Sequence, residues 1–186
     1  MTLAASPIPV ALLSFLAAAG ITTGLVPLVR HLGLRFGFTD KPDPRKQHST
    51  PMVRLGGVAM VLGFALSLTI VWLLGGFGLL APERDQLIWS TLAGGLCFFL
   101  IGLADDLFSL SPWPRLAGQI AISCAIWSQG VRIGAIDLPW LTSAGSAISL
   151  PESLSLLATV IWLVGITNAI NWLDGLDGLA AGVAGI

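Results

Sequence analysis

Asp105 and Asp106 stand side by side in IGLADDLFSL, at the end of a long apolar run. Ionisable residues beside membrane-length apolar segments are expensive and read first as functional. Neighbouring carboxylates repel each other unless a cation or a shared proton intervenes. A hard cation such as Mg2+ takes oxygen ligands and keeps several waters, so it suits one or two carboxylates plus substrate phosphates. The plainer alternative is a solvated helix end that happens to be acidic, although two acids at a helix C-terminus oppose its macrodipole.

A second cluster, Asn168, Asn171, Asp174 and Asp177 in NAINWLDGLDGL, recurs every three residues. On a helix that spacing draws a slowly drifting polar stripe, and Gly175 and Gly178 let the backbone bend or a ligand approach. The amides can donate to phosphate or sugar oxygens. The acids can hold a metal, hydrogen-bond a nucleobase or ribose, or move a proton. The competing view is a polar helix end entering water, with Gly178 and Gly182 as a helix-packing pair. The spacing is not that of an EF-hand. A third cluster is the basic loop DKPDPRKQHSTP at 40–51, followed by Arg54 and Gly56-Gly57. Its charge fits phosphate binding, with Lys46 and His48 the favoured pair, histidine being the side chain that ordinarily titrates near neutral pH. It fits equally a topological signal that contacts anionic lipid. His31 reads as interfacial rather than catalytic.

The elements that must position these clusters are membrane helices. The chain is 55% hydrophobic and 10% charged, with a mean hydropathy of +0.88, against about 25% charged residues in soluble domains. Its net charge of −1 names no partner, because the charges are segregated. An all-α, polytopic integral membrane protein of one domain, 1–186, is expected. A span needs about 20 apolar residues, and five fit: about 7–29, 55–74, 86–104, 116–131 and 153–171. The fourth is the weakest, holding Gln119, Ser123, Ser128 and Gln129. A partial sixth begins at Leu179 and runs to Ile186. The first helix lacks a basic leader and is longer than a signal core, so it reads as retained.

Seven of the nine basic residues (Arg30, Arg35, Lys41, Arg45, Lys46, Arg54 and Arg115) fall on one side of these spans. The positive-inside bias puts that side in the cytoplasm and the N-terminus outside. Cytoplasmic loops are then expected at about 30–54, 105–115 and 172–178, and all three clusters meet the inner face. Trp72, Trp89 and Trp140 suit the outer interface and Trp113 and Trp172 the inner one, whereas Trp162 reads as packing. Cys97 and Cys124 lie within apolar runs and read as small hydrophobes. Residues 130–152 alternate, with Gly and Pro punctuation, as a small outer hairpin would.

GLADDLFSLSPWPRLAGQ and NAINWLDGLDGLAAGVA, preceded by DKPDPRKQHSTPMVRLGG, resemble the bacterial polyprenyl-phosphate N-acetylhexosamine-1-phosphate transferases, the superfamily of WecA, TagO and the MraY translocases. The three motifs stand in family order, and the resemblance runs from about residue 7 to the end. The R-K-x-H-x-x-P form of the loop is similar to the WecA and TagO branch. MraY-type enzymes more often carry a Lys before a Gly-Thr-Pro-Thr-Met-Gly-Gly run, which is absent here. The resemblance also implies a longer parent with about ten or eleven spans, of which this chain would be the N-terminal half. A later Gly-Asp-x-Gly-Ser motif, whose Asp is thought to bind Mg2+, and a His-containing loop are not in these residues.

What the resemblance implies is a Mg2+-dependent phosphotransferase, Mn2+ being an alternative metal. The phosphate of undecaprenyl phosphate attacks the β-phosphate of UDP-GlcNAc; UMP leaves and undecaprenyl-diphospho-GlcNAc stays in the bacterial inner membrane. Such phosphoryl transfer depends on positioning and charge neutralisation. Asp105 is expected on the lipid-phosphate side as base or orienter, and Asp106 as an organiser of the metal. Asn168, Asn171 and Asp174 are expected at the metal–diphosphate region, with Asp106, Asp174 and Asn171 as metal ligands. Asp177 is assigned to the uridine end, with Lys46 and His48 assisting. The expected partners are a UDP-sugar, a polyprenyl phosphate lipid, the membrane and a second copy in a homodimer, with no nucleic acid. MraY-type specificity stays open. A prenyltransferase would need a further Asp soon after the first pair. A transporter would place its polar residues near the midplane rather than at span ends.

Overall fold

The computed structural model describes residues 7–40, 52–53, 55–75, 82–137, 147–173 and 182–183. Among the described residues five α-helices and four two-residue strands follow one another. They are α1 (Pro7–Phe36), β1 (Thr39–Asp40), β2 (Met52–Val53), α2 (Gly56–Leu73), α3 (Pro82–Phe108), α4 (Pro112–Ser128), β3 (Ala135–Ile136), β4 (Ile148–Ser149) and α5 (Glu152–Leu173). They fall into two compact units, Met1–Leu110 and Ser111–Ile186.

In the first unit, α1 and α2 pack as an antiparallel pair. The buried face of α2 is Ala59, Gly63, Ser67 and Val71, one residue per turn. Small residues let helix backbones approach in lipid, where apolar surface alone does not drive association. A Cβ at Gly63 would run into the Thr22 side chain and lie 3.0 Å from the Thr22 nitrogen. Farther along the same seam, Ser67 Oγ donates to the Ser14 carbonyl at 3.2 Å. At one end of the α2–α3 hairpin Trp72 meets Trp89 edge-on, with ring centroids 5.7 Å apart. That pairing agrees with both rings belonging to one interface.

Helix ends follow local chemistry. Gly37, at φ 75°, closes α1 in a Schellman arrangement: Phe38 N–H donates to Gly33 O at 2.9 Å and Gly37 N–H to Leu34 O at 3.4 Å. Gly130, at φ 90°, closes α4 in the same way, through Trp127 O and Ile126 O. The end of α3 differs. Ser109, at φ 50°, takes the left-handed position without being glycine, and its N–H donates to Asp105 O at 2.7 Å.

In the second unit, α4 and α5 run antiparallel along a seam of polar groups. Gln119, Ser123, Ser155 and Thr159 are all buried. Trp127 Nε1 donates to Ser155 Oγ at 3.0 Å, and Thr159 Oγ1 accepts the Ile133 N–H at 3.0 Å while donating to Ser155 O at 2.7 Å. These bonds seat the expected outer hairpin, whose strands pair Ala135 with Ser149 and Ile136 with Ile148. Large apolar side chains of the same unit meanwhile point outward, among them Leu154, Leu157 and Ile161. Polar groups inside and leucine outside is the pattern of helices solvated by lipid.

Among the described residues four helices are long and apolar enough to cross a membrane: Val10–Phe36, Gly56–Leu73, Asp85–Phe108 and Glu152–Leu173. The predicted fourth span is helical but is not among them. At 17 residues it rises about 26 Å, and its polar residues, of which Gln119 and Ser123 are buried, lower its hydropathy. Of the predicted sixth span only residues 182–183 are described, and they are helical. Trp162 is 59% exposed, so within its unit it does not pack as predicted. Trp127 takes that part. Cys97 and Cys124 are free thiols on apolar helices, as expected.

Candidate functional site

The acid pair lies on helix, not loop: α3 continues through Asp105 and Asp106 to Phe108. Consecutive helical residues diverge by about 100°, and the two carboxylates accordingly differ, Asp105 half-buried and Asp106 exposed. Asp106 borders a cleft of about 150 Å³ lined by Gly57, Val58, Phe99, Gly102 and Leu103. The cleft opens at the start of α2. There Leu55 supplies no side-chain cap, and the Val58 N–H turns back to Leu55 O at 3.0 Å. The first N–H groups of a helix have no partner within it, and with the macrodipole they make that end electropositive. A carboxylate beside a glycine-rich helix start thus shares the cleft with a surface suited to oxyanions. Among the described residues Asp106 is the one charged side chain on a wall otherwise made of Gly57, Gly102 and the apolar Val58, Phe99 and Leu103.

The residues that flank the basic loop, 39–40 and 52–53, are described. Its two ends are ladder partners, Thr39 with Val53 and Asp40 with Met52. A β-ladder here was not legible, because two-residue strands carry no alternation. Lys46 and His48 lie outside the described residues.

On α5, Asn168 and Asn171 separate in role. Asn171 is exposed on the last turn, while Asn168 is half-buried against α4. Asn168 Nδ2 donates to Gln119 Oε1 at 2.8 Å and also to the Val164 carbonyl at 2.8 Å. Gln119 is only 5% exposed. In the sequence it registered merely as a weakness of the fourth span. The available signal was its i, i+4 spacing with Ser123, one polar residue per turn on one helix face. Asp174 and Asp177 lie outside the described residues.

The predicted site residues that are described, Asp105 and Asp106 in the first unit and Asn168 and Asn171 in the second, offer oxygen donors, the ligand type of a hard cation rather than a soft one. Among the described residues no group of three or more His, Cys, Asp or Glu side chains gathers.

Residues 88–186 match the family described as glycosyl transferase family 4. The chain is 32% identical over 162 residues to a probable undecaprenyl-phosphate N-acetylglucosaminyl 1-phosphate transferase of Bacillus subtilis (strain 168), covering 86% of this chain and 41% of that protein. It is 35% identical over 183 residues to a decaprenyl-phosphate N-acetylglucosaminephosphotransferase of Mycolicibacterium smegmatis, covering 90% of this chain and 42% of the relative. A phospho-N-acetylmuramoyl-pentapeptide-transferase of Shouchella clausii is 32% identical over 191 residues, covering 95% of this chain and 55% of its own length. The chain spans about two-fifths of the length of the first two relatives. No solved structure matches it. The matched segment takes in the acid pair, the Gln119–Asn168 bond and the whole NAINWLDGLDGL stripe, and the helices that carry them make a multi-pass membrane protein. By that match over more than half its length, the chain belongs to glycosyl transferase family 4.

Proposed function

We propose that this polypeptide transfers N-acetylglucosamine 1-phosphate from UDP-GlcNAc to undecaprenyl phosphate, on the cytoplasmic face of the bacterial inner membrane. The observation that carries this is the coincidence of one family match with both polar motifs, Asp105-Asp106 at the end of one helix and Asn168 and Asn171 at the end of another, with Asp174 and Asp177 following in sequence. The names of the B. subtilis and M. smegmatis relatives support the hexosamine and the polyprenyl acceptor.

In the reaction, a phosphate oxygen of the lipid forms a bond to the β-phosphorus of UDP-GlcNAc. The bond from that phosphorus to the bridging oxygen breaks, and UMP departs with the electron pair. Asp105 orients the lipid phosphate or takes its proton. Asp177 holds the uridine, and Lys46 and His48 neutralise phosphate charge. Mg2+, or Mn2+ in its place, supplies charge neutralisation of the diphosphate when bound, with Asp106, Asn171 and Asp174 offering oxygen ligands. The cleft beside Asp106, with a helix start on its wall, supports a phosphate on that side.

A second reading, transfer of phospho-MurNAc-pentapeptide, draws support from the S. clausii relative. The test is UMP release by membranes containing the chain, with undecaprenyl phosphate and either UDP-GlcNAc or UDP-MurNAc-pentapeptide. UDP-GlcNAc turnover that needs Mg2+ and is lost in Asp174→Asn is the expected result. Preference for the pentapeptide donor would establish the second reading. No UMP from either donor, beside an active full-length relative, would rule out transferase activity of these 186 residues alone.

A further inference from the structure

The direction of the Asn168–Gln119 hydrogen bond decides what Asn168 can offer a ligand. A backbone carbonyl accepts and never donates, so the 2.8 Å contact with Val164 O requires the Asn168 nitrogen, not its oxygen, to face the helix. The second Nδ2 hydrogen goes to Gln119, which must then present Oε1, again at 2.8 Å. Rotating the Asn168 amide by half a turn would set its oxygen against two acceptors. Both donor hydrogens are thereby spent inside the second unit. What remains for a ligand is Oδ1, an acceptor.

Gln119 is built to hold that orientation. It is 5% exposed, and a buried amide needs a partner. Its own backbone carbonyl accepts the Ser123 hydroxyl at 2.8 Å, which ties its turn of α4 to the polar seam. Asn168 sits five residues before the last residue of α5, Leu173, on the run that continues into Asp174 and Asp177.

We infer that Gln119 is a positioning residue that fixes the Asn168 amide with its carbonyl oxygen as the only group offered to substrate. Asn168 therefore recognises an electropositive group and not a phosphate oxygen. That group is a cation, its bound water, or a hydroxyl or N–H of the nucleotide sugar. This rests on the transferase reading for the identity of the ligand, but not for the orientation of the amide.

The chain holds two asparagines, Asn168 and Asn171, so labelling with 15N-asparagine in detergent micelles gives two side-chain NH2 pairs, assigned by the loss of one in Asn171→Asp. The Asn168 pair should exchange with water at least about tenfold more slowly than the exposed Asn171 pair, since exchange tracks local opening. Gln119→Leu should abolish that difference, and Gln119→Glu, which keeps an acceptor oxygen, should preserve it. Equal exchange in the unsubstituted chain, or protection that survives Gln119→Leu, overturns the inference.

In the UMP assay, Gln119→Leu should raise either the half-saturating Mg2+ concentration or the KM for UDP-GlcNAc by about 10- to 100-fold, as loss of an outer-shell partner does. Gln119→Glu should stay within a few-fold of the parent. A shift in Mg2+ assigns the cation to Asn168; a shift in KM at saturating Mg2+ assigns a donor of the nucleotide sugar. Neither shift, with kcat alone reduced and unrescued by Gln119→Glu, makes Gln119 structural only. If the unsubstituted chain releases no UMP while its exchange pattern is as expected, the transferase reading of this chain fails and the positioning of Asn168 stands.

Discussion

Val53 lies against the bare backbone of Gly33, with its Cγ1 in the space that a side chain at Gly33 would need. Gly33 also supplies the carbonyl that caps α1 through Phe38. The last turn of α1 and strand β2 therefore share one close approach, which seats the ladder closing the basic loop. A valine has one stiff χ1 and yields poorly. Gly33→Ala is expected to destabilise the first unit by about 1–3 kcal/mol, the usual range for overpacking. Val53→Ala placed on top of it should recover most of that loss. Thermal melting in detergent reads the stability. Tryptic cleavage after Arg45 or Lys46 reads the seating of the loop, and should quicken in Gly33→Ala alone.

The α4–α5 seam makes a different prediction, because its hydrogen bonds are not equivalent. Ser155→Ala removes only the acceptor of the Trp127 indole N–H; interhelical bonds of this kind average about 0.6 kcal/mol in membranes. Thr159→Val is nearly isosteric, yet it strips the Ile133 N–H of its acceptor. An unsatisfied buried donor costs about 1–3 kcal/mol. Thr159→Val should lower the melting temperature more than Ser155→Ala, followed by tryptophan fluorescence of Trp127. The opposite order would mean that the hairpin is not held by Thr159.

The contrast between these two units explains what could be read in the sequence. Apolar runs of span length mark helices whatever surrounds them, so α1, α2, α3 and α5 were legible as helices; α3 and α5 ran a few residues past their apolar runs, α1 continued to Phe36, and α2 stopped just inside its predicted ends. The β1–β2 ladder was not, because two residues per strand are fixed by Gly33 and Val53 meeting rather than by any pattern. Gln119 and Ser123 were seen but taken as a defect of a span. Hydropathy scores a residue alone, whereas their meaning lies in partners, Asn168 and Gln119 O, that a single window does not contain. For the candidate site, Asp105, Asp106, Asn168 and Asn171 were picked out by type and spacing. The split between a half-buried Asp105 and an exposed Asp106 needed the helix phase, and the direction of the Asn168 amide needed its neighbours.

Ser109 holds the left-handed position that ends α3, three residues after the acid pair. A left-handed conformation costs an L-residue about 1–2 kcal/mol relative to glycine, and a β-branched residue more. Ser109→Gly should leave stability unchanged or raise it by less than about 1 kcal/mol, since glycine also gains entropy in the unfolded chain. Ser109→Val should destabilise the helix end and loosen the turn whose carbonyl, at Asp105, receives the Ser109 N–H at 2.7 Å. UMP release should follow the same order, with Ser109→Gly active and Ser109→Val reduced. Equal activity in both would detach the cap from the placement of the acids.

Asp105 and Asp106 are neighbours in sequence but not in surroundings. Asp106 is exposed on the wall of the cleft at the start of α2, and Asp105 is half-buried on another face of the same turn. Two such carboxylates should separate kinetically. Asp106→Asn keeps the shape of the side chain but halves the negative charge available to a hard cation, so the Mg2+ requirement should rise, and excess Mg2+ should recover part of the rate. Asp105→Asn should lower kcat by about 100-fold, the low end for loss of a positioned proton acceptor, with no recovery by Mg2+. Chelation with EDTA should silence UMP release and leave the melting of the first unit unchanged, because α1 and α2 pack directly through the Gly63–Thr22 and Ser67–Ser14 contacts. Near-normal turnover in Asp105→Asn would remove the base role and leave proton release to the lipid phosphate itself. A lowered melting temperature on chelation would make the metal a structural ion.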